Sequence, residues 1–323
     1  MKNFIKLLIL SLSFLILLNG CSQSADLINT DKKNIVLIAK MNNGYHWGTV
    51  KLGAETAARE FNVNVTFVAP DDEEDVQGQI KLVEQALEEK KMDALVLAAS
   101  DYKALVGVTE KAYNRGIPVI IIDSEVDTKK ITSYVATDNL DTGKKAGNAL
   151  VYIAGKECRV AIMSFVKGTR NAEQREEGLL GFIRQYPGIQ VVSTQYCLSD
   201  SKLAYQLTKQ LISEKSNLDA IVALNAISSE GVAEAIADLG LVGKIKIIAF
   251  DNTPKEIDYL DKGVIQATIT QNPFSMGYLG VKYAVDSMNG DPVRKYYDTG
   301  SKIIDKNNMY LPENQKLLFP IVK

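Results

Sequence analysis

From Lys33 onward, short apolar runs rich in β-branched residues alternate with amphipathic stretches of helical period, and the alternation occurs twice. The first set of runs is NIVLIAK (34–40), VNVTFVA (63–69), DALVLAA (93–99) and PVIIID (118–123). The second is CRVAIMSF (158–165), IQVVSTQ (189–195), DAIVALN (219–225) and KIKIIAFD (244–251). Between them the spacing predicts helices at 47–61, 75–90, 103–115, 172–186, 203–215 and 230–240. Strands apolar on both faces and separated by helices belong to parallel sheets covered on both sides. Asp123 follows the DALV run beginning at Asp93 by 30 residues, and Asp251 follows the DAIV run beginning at Asp219 by 32. So long a period is no solenoid. The chain reads as α/β, two similar doubly wound parallel-sheet lobes, and 323 residues with 46% hydrophobic content suffice for both cores.

In open parallel sheets, ligands bind beyond the carboxyl ends of the strands. Asp123 and Asp251 each end such a strand, so facing lobes would direct both carboxylates into the cleft between them. The alternative is that each caps a turn, a common role for Asp. Catalysis has little to build on. His46 is the single histidine, no nucleophile motif accompanies it, and the first strand runs into MNNGYHW rather than a glycine-rich phosphate loop. No spacing fits a metal site, so the expectation is no enzyme, no cofactor and no metal. A net charge of −2 without any Lys/Arg block argues against nucleic acid. The acidic run Asp71–Asp75 reads as a solvated loop ending in a helix N-cap.

Around the strand ends gather Asn43, His46, Trp47, Asp123, Asn225, Asp251 and Gln271, with Arg175 on the first helix of the second lobe. Amides, carboxylates and a guanidinium supply directional hydrogen bonds, and an aromatic face suits sugar C–H groups. That is the inventory for a polyhydroxylated ligand.

The motifs DALVLAASD, GIPVIIIDSEVD, ATDN, REEG, DAIVALN, IIAFDNTP and ATITQNP, covering the chain from Lys33 to about Gly300, resemble those of class I periplasmic binding proteins of the ribose type. These are the sugar receptors of bacterial ABC importers. The resemblance implies two lobes joined by a three-segment hinge near 136–139, 271–273 and 299–301. It places the N-terminal lobe at 33–137 plus 272–299 and the C-terminal lobe at 138–271 plus 300–323. It also implies that Asn43, His46, Trp47, Asp123, Arg175, Asn225, Asp251 and Gln271 contact a monosaccharide, and that the receptor acts as a monomer on an ABC transporter permease. A membrane sensor kinase is the alternative partner.

The chain departs from the ribose pattern in several places. Ser124 stands where ribose binders carry Arg. Register leaves Tyr45 as an alternative to His46 and Asn42 as an alternative to Asn43. Lys40 ends the first strand near the cleft, and the aromatic expected after IQVVSTQ is missing from YCLSDS. Lys2 and Lys6 precede the apolar run Leu7–Leu18, which is shorter than a membrane span and suits a signal peptide at 1–20. Leu18-Asn19-Gly20-Cys21 resembles a lipobox, implying a lipid anchor on Cys21 followed by a linker at 21–32. This leader, with no preceding helix-turn-helix, sets aside a sugar-responsive repressor. Cys158 opens one strand and Cys197 follows the end of another, so the two lie too far apart for a disulfide.

Overall fold

In the computed structural model, which describes residues 32–89, 92–215 and 217–319, every apolar run is a strand and every amphipathic stretch contains a helix. The signal peptide, Cys21 and the linker up to residue 31 lie outside the described residues. The chain begins β1 (Asn34–Ile38), α1 (Tyr45–Glu60), β2 (Asn64–Val68), α2 (Val76–Glu88), β3 (Ala94–Leu97), α3 (Val106–Asn114), β4 (Val119–Ile122), β5 (Ser133–Ala136) and α4 (Asn139–Ala154). It continues β6 (Cys158–Ser164), α5 (Arg170–Ile183), β7 (Ile189–Tyr196), α6 (Ser201–Glu214), β8 (Ala220–Ala223), α7 (Ala226–Asp238), β9 (Lys246–Phe250), α8 (Pro254–Asp261) and β10 (Ala267–Thr270). It ends α9 (Pro273–Met288), β11 (Tyr296–Asp298), β12 (Lys302–Asp305) and α10 (Pro312–Leu318).

Two six-stranded sheets result, ordered β11-β5-β4-β3-β1-β2 and β12-β10-β9-β8-β6-β7. The orders correspond strand for strand, so the sequence repeat is a structural repeat. One strand departs from the parallel rule, since β12 runs antiparallel to β10, whereas its counterpart β11 runs parallel to β5. The chain passes between the sheets after β5, after β10, and between β11 and β12. As a result α4 packs on the second sheet and α9 on the first.

Alternation along each strand sends neighbours to opposite faces. Val96, Ile120 and Ile122 pack under α1 and α9, whereas Leu95, Leu97, Val119 and Ile121 pack under α2 and α3. Each such side chain, fully buried, stabilises the fold by about 1.5–3 kcal/mol relative to exposure.

Helix starts follow local chemistry. Asp75, Asp138, Asp200 and Asn272 cap α2, α4, α6 and α9 with their side chains, and Pro254 and Pro273 occupy first-turn positions where no N–H is needed. The sequence predicts the α7 helix from residue 230. It starts four residues earlier because Asn225 and Ser228 form a reciprocal capping box. The helix pairs cross closely at glycines. A Cβ at Gly178 would run into the Leu140 carbonyl oxygen, and one at Gly277 into that of Val50. The first crossing sets α5 against α4 and so fixes the height of Arg175.

Candidate functional site

β4 and β9 both end on an aspartate in the left-handed region, Asp123 at φ 57° and Asp251 at φ 77°. Non-glycine residues rarely adopt this conformation, but Asp tolerates it. In each lobe the strained residue is held by the same bond to the neighbouring strand. Asp123 N donates to Val135 O at 3.2 Å, and Asp251 N donates to Ile269 O at 3.0 Å. The turn ends the strand and brings each buried carboxylate to a common cleft.

All eight sequence-predicted site residues (Asn43, His46, Trp47, Asp123, Arg175, Asn225, Asp251 and Gln271) line this cleft, whose cavity measures about 150 Å3. Pockets for drug-sized ligands run roughly 300–1,000 Å3. The space here suits something smaller. Lys40 and Tyr45 line it too, whereas Asn42 turns away to Asp71, and Ser124 is buried outside the lining.

Asp123 is the centre of charge on the first lobe. Its Oδ2 lies 3.3 Å from Lys40 Nζ, and its Oδ1 lies 3.2 Å from His46 Nε2 in an ion-pair contact rather than an aligned hydrogen bond. Burial opposes ionisation, but the Lys40 ammonium and His46 outweigh it and hold the carboxyl well below the usual range. His46 responds in the opposite sense. Burial disfavours the imidazolium, and the neighbouring Asp123 carboxylate nevertheless raises its pKa. Trp47 packs edge-on against His46, with ring centroids 5.0 Å apart.

The second lobe supplies the complementary wall. Asp251 accepts from Gln271 Nε2 at 2.7 Å and from Ala226 N at 2.9 Å, which orients both carboxylate oxygens. Arg175 is 2% exposed, its Nε bonded to Asn139 Oδ1 at 3.0 Å and an Nη to Leu224 O at 2.7 Å. Its guanidinium lies 4.9 Å from the Phe250 ring centroid and 5.7 Å from that of Phe165. Two of five N–H donors are thereby used, and the side chain faces the cleft. Neighbouring Glu176 bonds instead to Ser164 and Tyr196.

Sequence reasoning missed Glu73, Asn171, Phe165, Glu230 and Thr253, all part of the lining. Glu73 corrects the solvated reading of the acidic run. It is 6% exposed and bonds Lys40 and Ser199, although Asp75 does cap α2 as expected. Asn171 was legible, because it precedes Arg175 by one helical turn on the same face. Phe165 offers an apolar surface in place of the aromatic absent after β7. Cys158 and Cys197 are buried free thiols.

The chain matches the family model described as periplasmic binding protein domain over residues 35–292. It is 28% identical over 260 residues to the D-allose-binding periplasmic protein of Escherichia coli (strain K12), covering 78% of this chain and 83% of that one. The structure of a carbohydrate transporter solute binding protein from Agrobacterium radiobacter, in complex with D-arabinose, superposes with a TM-score of 0.86 at 32% identity, covering 90% of this chain and 99% of that one. A XylFII–LytSN complex gives a TM-score of 0.81 at 28% identity, covering 85% and 98%. The chain belongs to the periplasmic binding protein family.

Proposed function

We propose that this periplasmic binding protein is an extracytoplasmic receptor that encloses one monosaccharide between its lobes and delivers it to the permease of an ABC importer. The observation that carries the reading is the convergence of Asp123 and Asp251, at matching places in two repeats, on one small cleft walled by Arg175, Asn225, Gln271 and Trp47. A carboxylate accepts from vicinal hydroxyls with bonds roughly twice as strong as neutral ones. Arg175 supplies donors to ring or hydroxyl oxygens, while Trp47 and Phe165 cover C–H faces. One carboxylate comes from each lobe, so the ligand is fully satisfied only when the lobes meet, and binding favours closure. No reaction on the sugar is part of this reading. Cys21 carries a lipid that tethers the monomeric receptor to the cell envelope.

Likeness to the XylFII–LytSN complex favours a second reading, in which the closed receptor signals to a membrane sensor protein rather than feeding a permease. Co-purification from membranes separates the two by the partner recovered. The ligand is tested by melting temperature against D-allose, D-ribose, D-arabinose, other pentoses and hexoses, and polyols. Ligands that bind only the folded state raise it, by about 2.7 kcal/mol of stability at 100 times Kd. A panel in which no sugar raises the melting temperature sinks the proposal.

A further inference from the structure

We infer that Glu73 and Ser199 form a latch that holds the lobes closed whichever ligand occupies the cleft. Glu73 lies in the turn before α2, in the first lobe, and Ser199 lies between β7 and α6, in the second. Ser199 Oγ donates to Glu73 Oε2 at 2.6 Å, and the other Glu73 oxygen accepts from Lys40 Nζ at 3.1 Å. On the far side, Asn225 Nδ2 donates to the Ser199 hydroxyl at 3.1 Å. Lys40, Glu73, Ser199 and Asn225 thus make a continuous bridge, two residues from each lobe. Its central pair is 6% and 8% exposed, so the bond is shielded from competing water.

The backbone is arranged for this contact. Leu198 and Ser199 are consecutive non-glycine residues in the left-handed region, at φ 58° and 54°. Such strain persists only where surrounding structure fixes it. Here Cys197 N donates to Ser164 O and Leu198 N to Phe165 O, pinning the loop to the end of β6. A second contact joins the lobes where Tyr102 N donates to Gly168 O at 2.9 Å. Lys40, Glu73 and Asn225 also line the cleft, whereas Ser199 does not, so Ser199 is the member whose loss tests the latch without removing a lining side chain. Loss of the latch therefore weakens binding of any ligand that needs the closed form.

Small-angle scattering on the ligand-free protein reads the closed-to-open ratio directly. Ser199→Ala is expected to lower that ratio about tenfold, equivalent to 1.4 kcal/mol. Glu73→Ala should act in the same direction, and the double variant should go no further than the larger single effect. Asp72→Ala, an exposed neighbour, is the control that changes nothing. Circular dichroism checks that Ser199→Ala is folded. Scattering from Ser199→Ala that superimposes on wild type overturns the latch. In parallel, affinities of Ser199→Ala for D-allose and D-arabinose should both fall, and unchanged affinity for a sugar that wild type binds overturns it as well. If wild type binds neither sugar, the ligand assignment above fails, while the scattering still decides the latch.

Discussion

Asn171 Nδ2 lies 3.2 Å from Asp123 Oδ2, and the two residues belong to different lobes. The same Asn171 accepts from Lys40 through its Oδ1 at 3.2 Å, so one amide on α5 is bonded to both members of the first lobe's buried ion pair. Asp123 is therefore both a wall of the cleft and a point of contact between the halves of the molecule. Among the described residues, the Asp251 carboxylate is hydrogen-bonded within its own lobe, to Ala226 N and Gln271 Nε2.

This difference separates the effects of the two aspartates. Asp251→Ala should weaken sugar binding by about 1.5–3 kcal/mol, the usual worth of a hydrogen bond to a charged group, or roughly 10- to 150-fold. Asp123→Ala should lose affinity and also about 1–3 kcal/mol of stability, because Lys40 keeps its Glu73 partner while buried His46 and Asn171 Nδ2 lose theirs. Calorimetry and chemical denaturation on both variants check this. Equal stabilities for the two would contradict the geometry.

Gly178 faces the Leu140 carbonyl where α5 crosses α4, with no room for a methyl group. Gly178→Ala should destabilise the protein by about 1–3 kcal/mol through overpacking. Because the crossing sets the height of Arg175, sugar affinity should fall together with stability. Gly181→Ala, on the same helix with open space around it, should instead be neutral or stabilising. Urea denaturation of the pair makes the comparison.

His46 gives the cleft a pH dependence whose sign is fixed. Its pKa is raised in the folded protein by Asp123, so its contribution to stability is complete below the ordinary value of about 6.5 and disappears as pH rises through the folded value. Asp123, with a depressed pKa, contributes above its ordinary range and loses that contribution only in strong acid. From the ordinary histidine value of about 6.5 upward, the histidine is the group of this pair that changes charge. His46→Gln should accordingly flatten the melting temperature across that window, with its largest deficit at the acidic end. An unchanged slope would mean that His46 is neutral throughout.

Lipid attachment at Cys21 is tested by its removal. Cys21→Ala should shift the protein from the membrane fraction to the soluble fraction or block cleavage, with mature mass following by mass spectrometry. Unaltered fractionation and mass would rule out the anchor.

The repeat was legible because buried parallel strands need apolar runs, and only a special position tolerates an aspartate at their end. Asp123 and Asp251 therefore stood out twice, and Arg175, Asn225 and Gln271 could be placed from motif resemblance. Glu73 and Ser199 were not legible. Nothing in DDEED marks which carboxylate turns inward, since that depends on a contact made 126 residues away. Nor does YCLSDS announce two left-handed residues. The antiparallel run of β12 escaped for a similar reason, since strand direction at a sheet edge is set by how the chain arrives after its last crossing.

The threefold passage between sheets also governs when each half can become complete during synthesis. The face of the first sheet formed by Val96, Ile120 and Ile122 is covered partly by Val281 and Ala284 of α9, made long after β4. Its edge strand β11 comes later still. A nascent chain halted before residue 273 has thus made nearly all of the second lobe's strands while the first lobe still lacks a helix and an edge. The half that begins first therefore waits for α9 and β11, which are made after nearly all of the other half's strands.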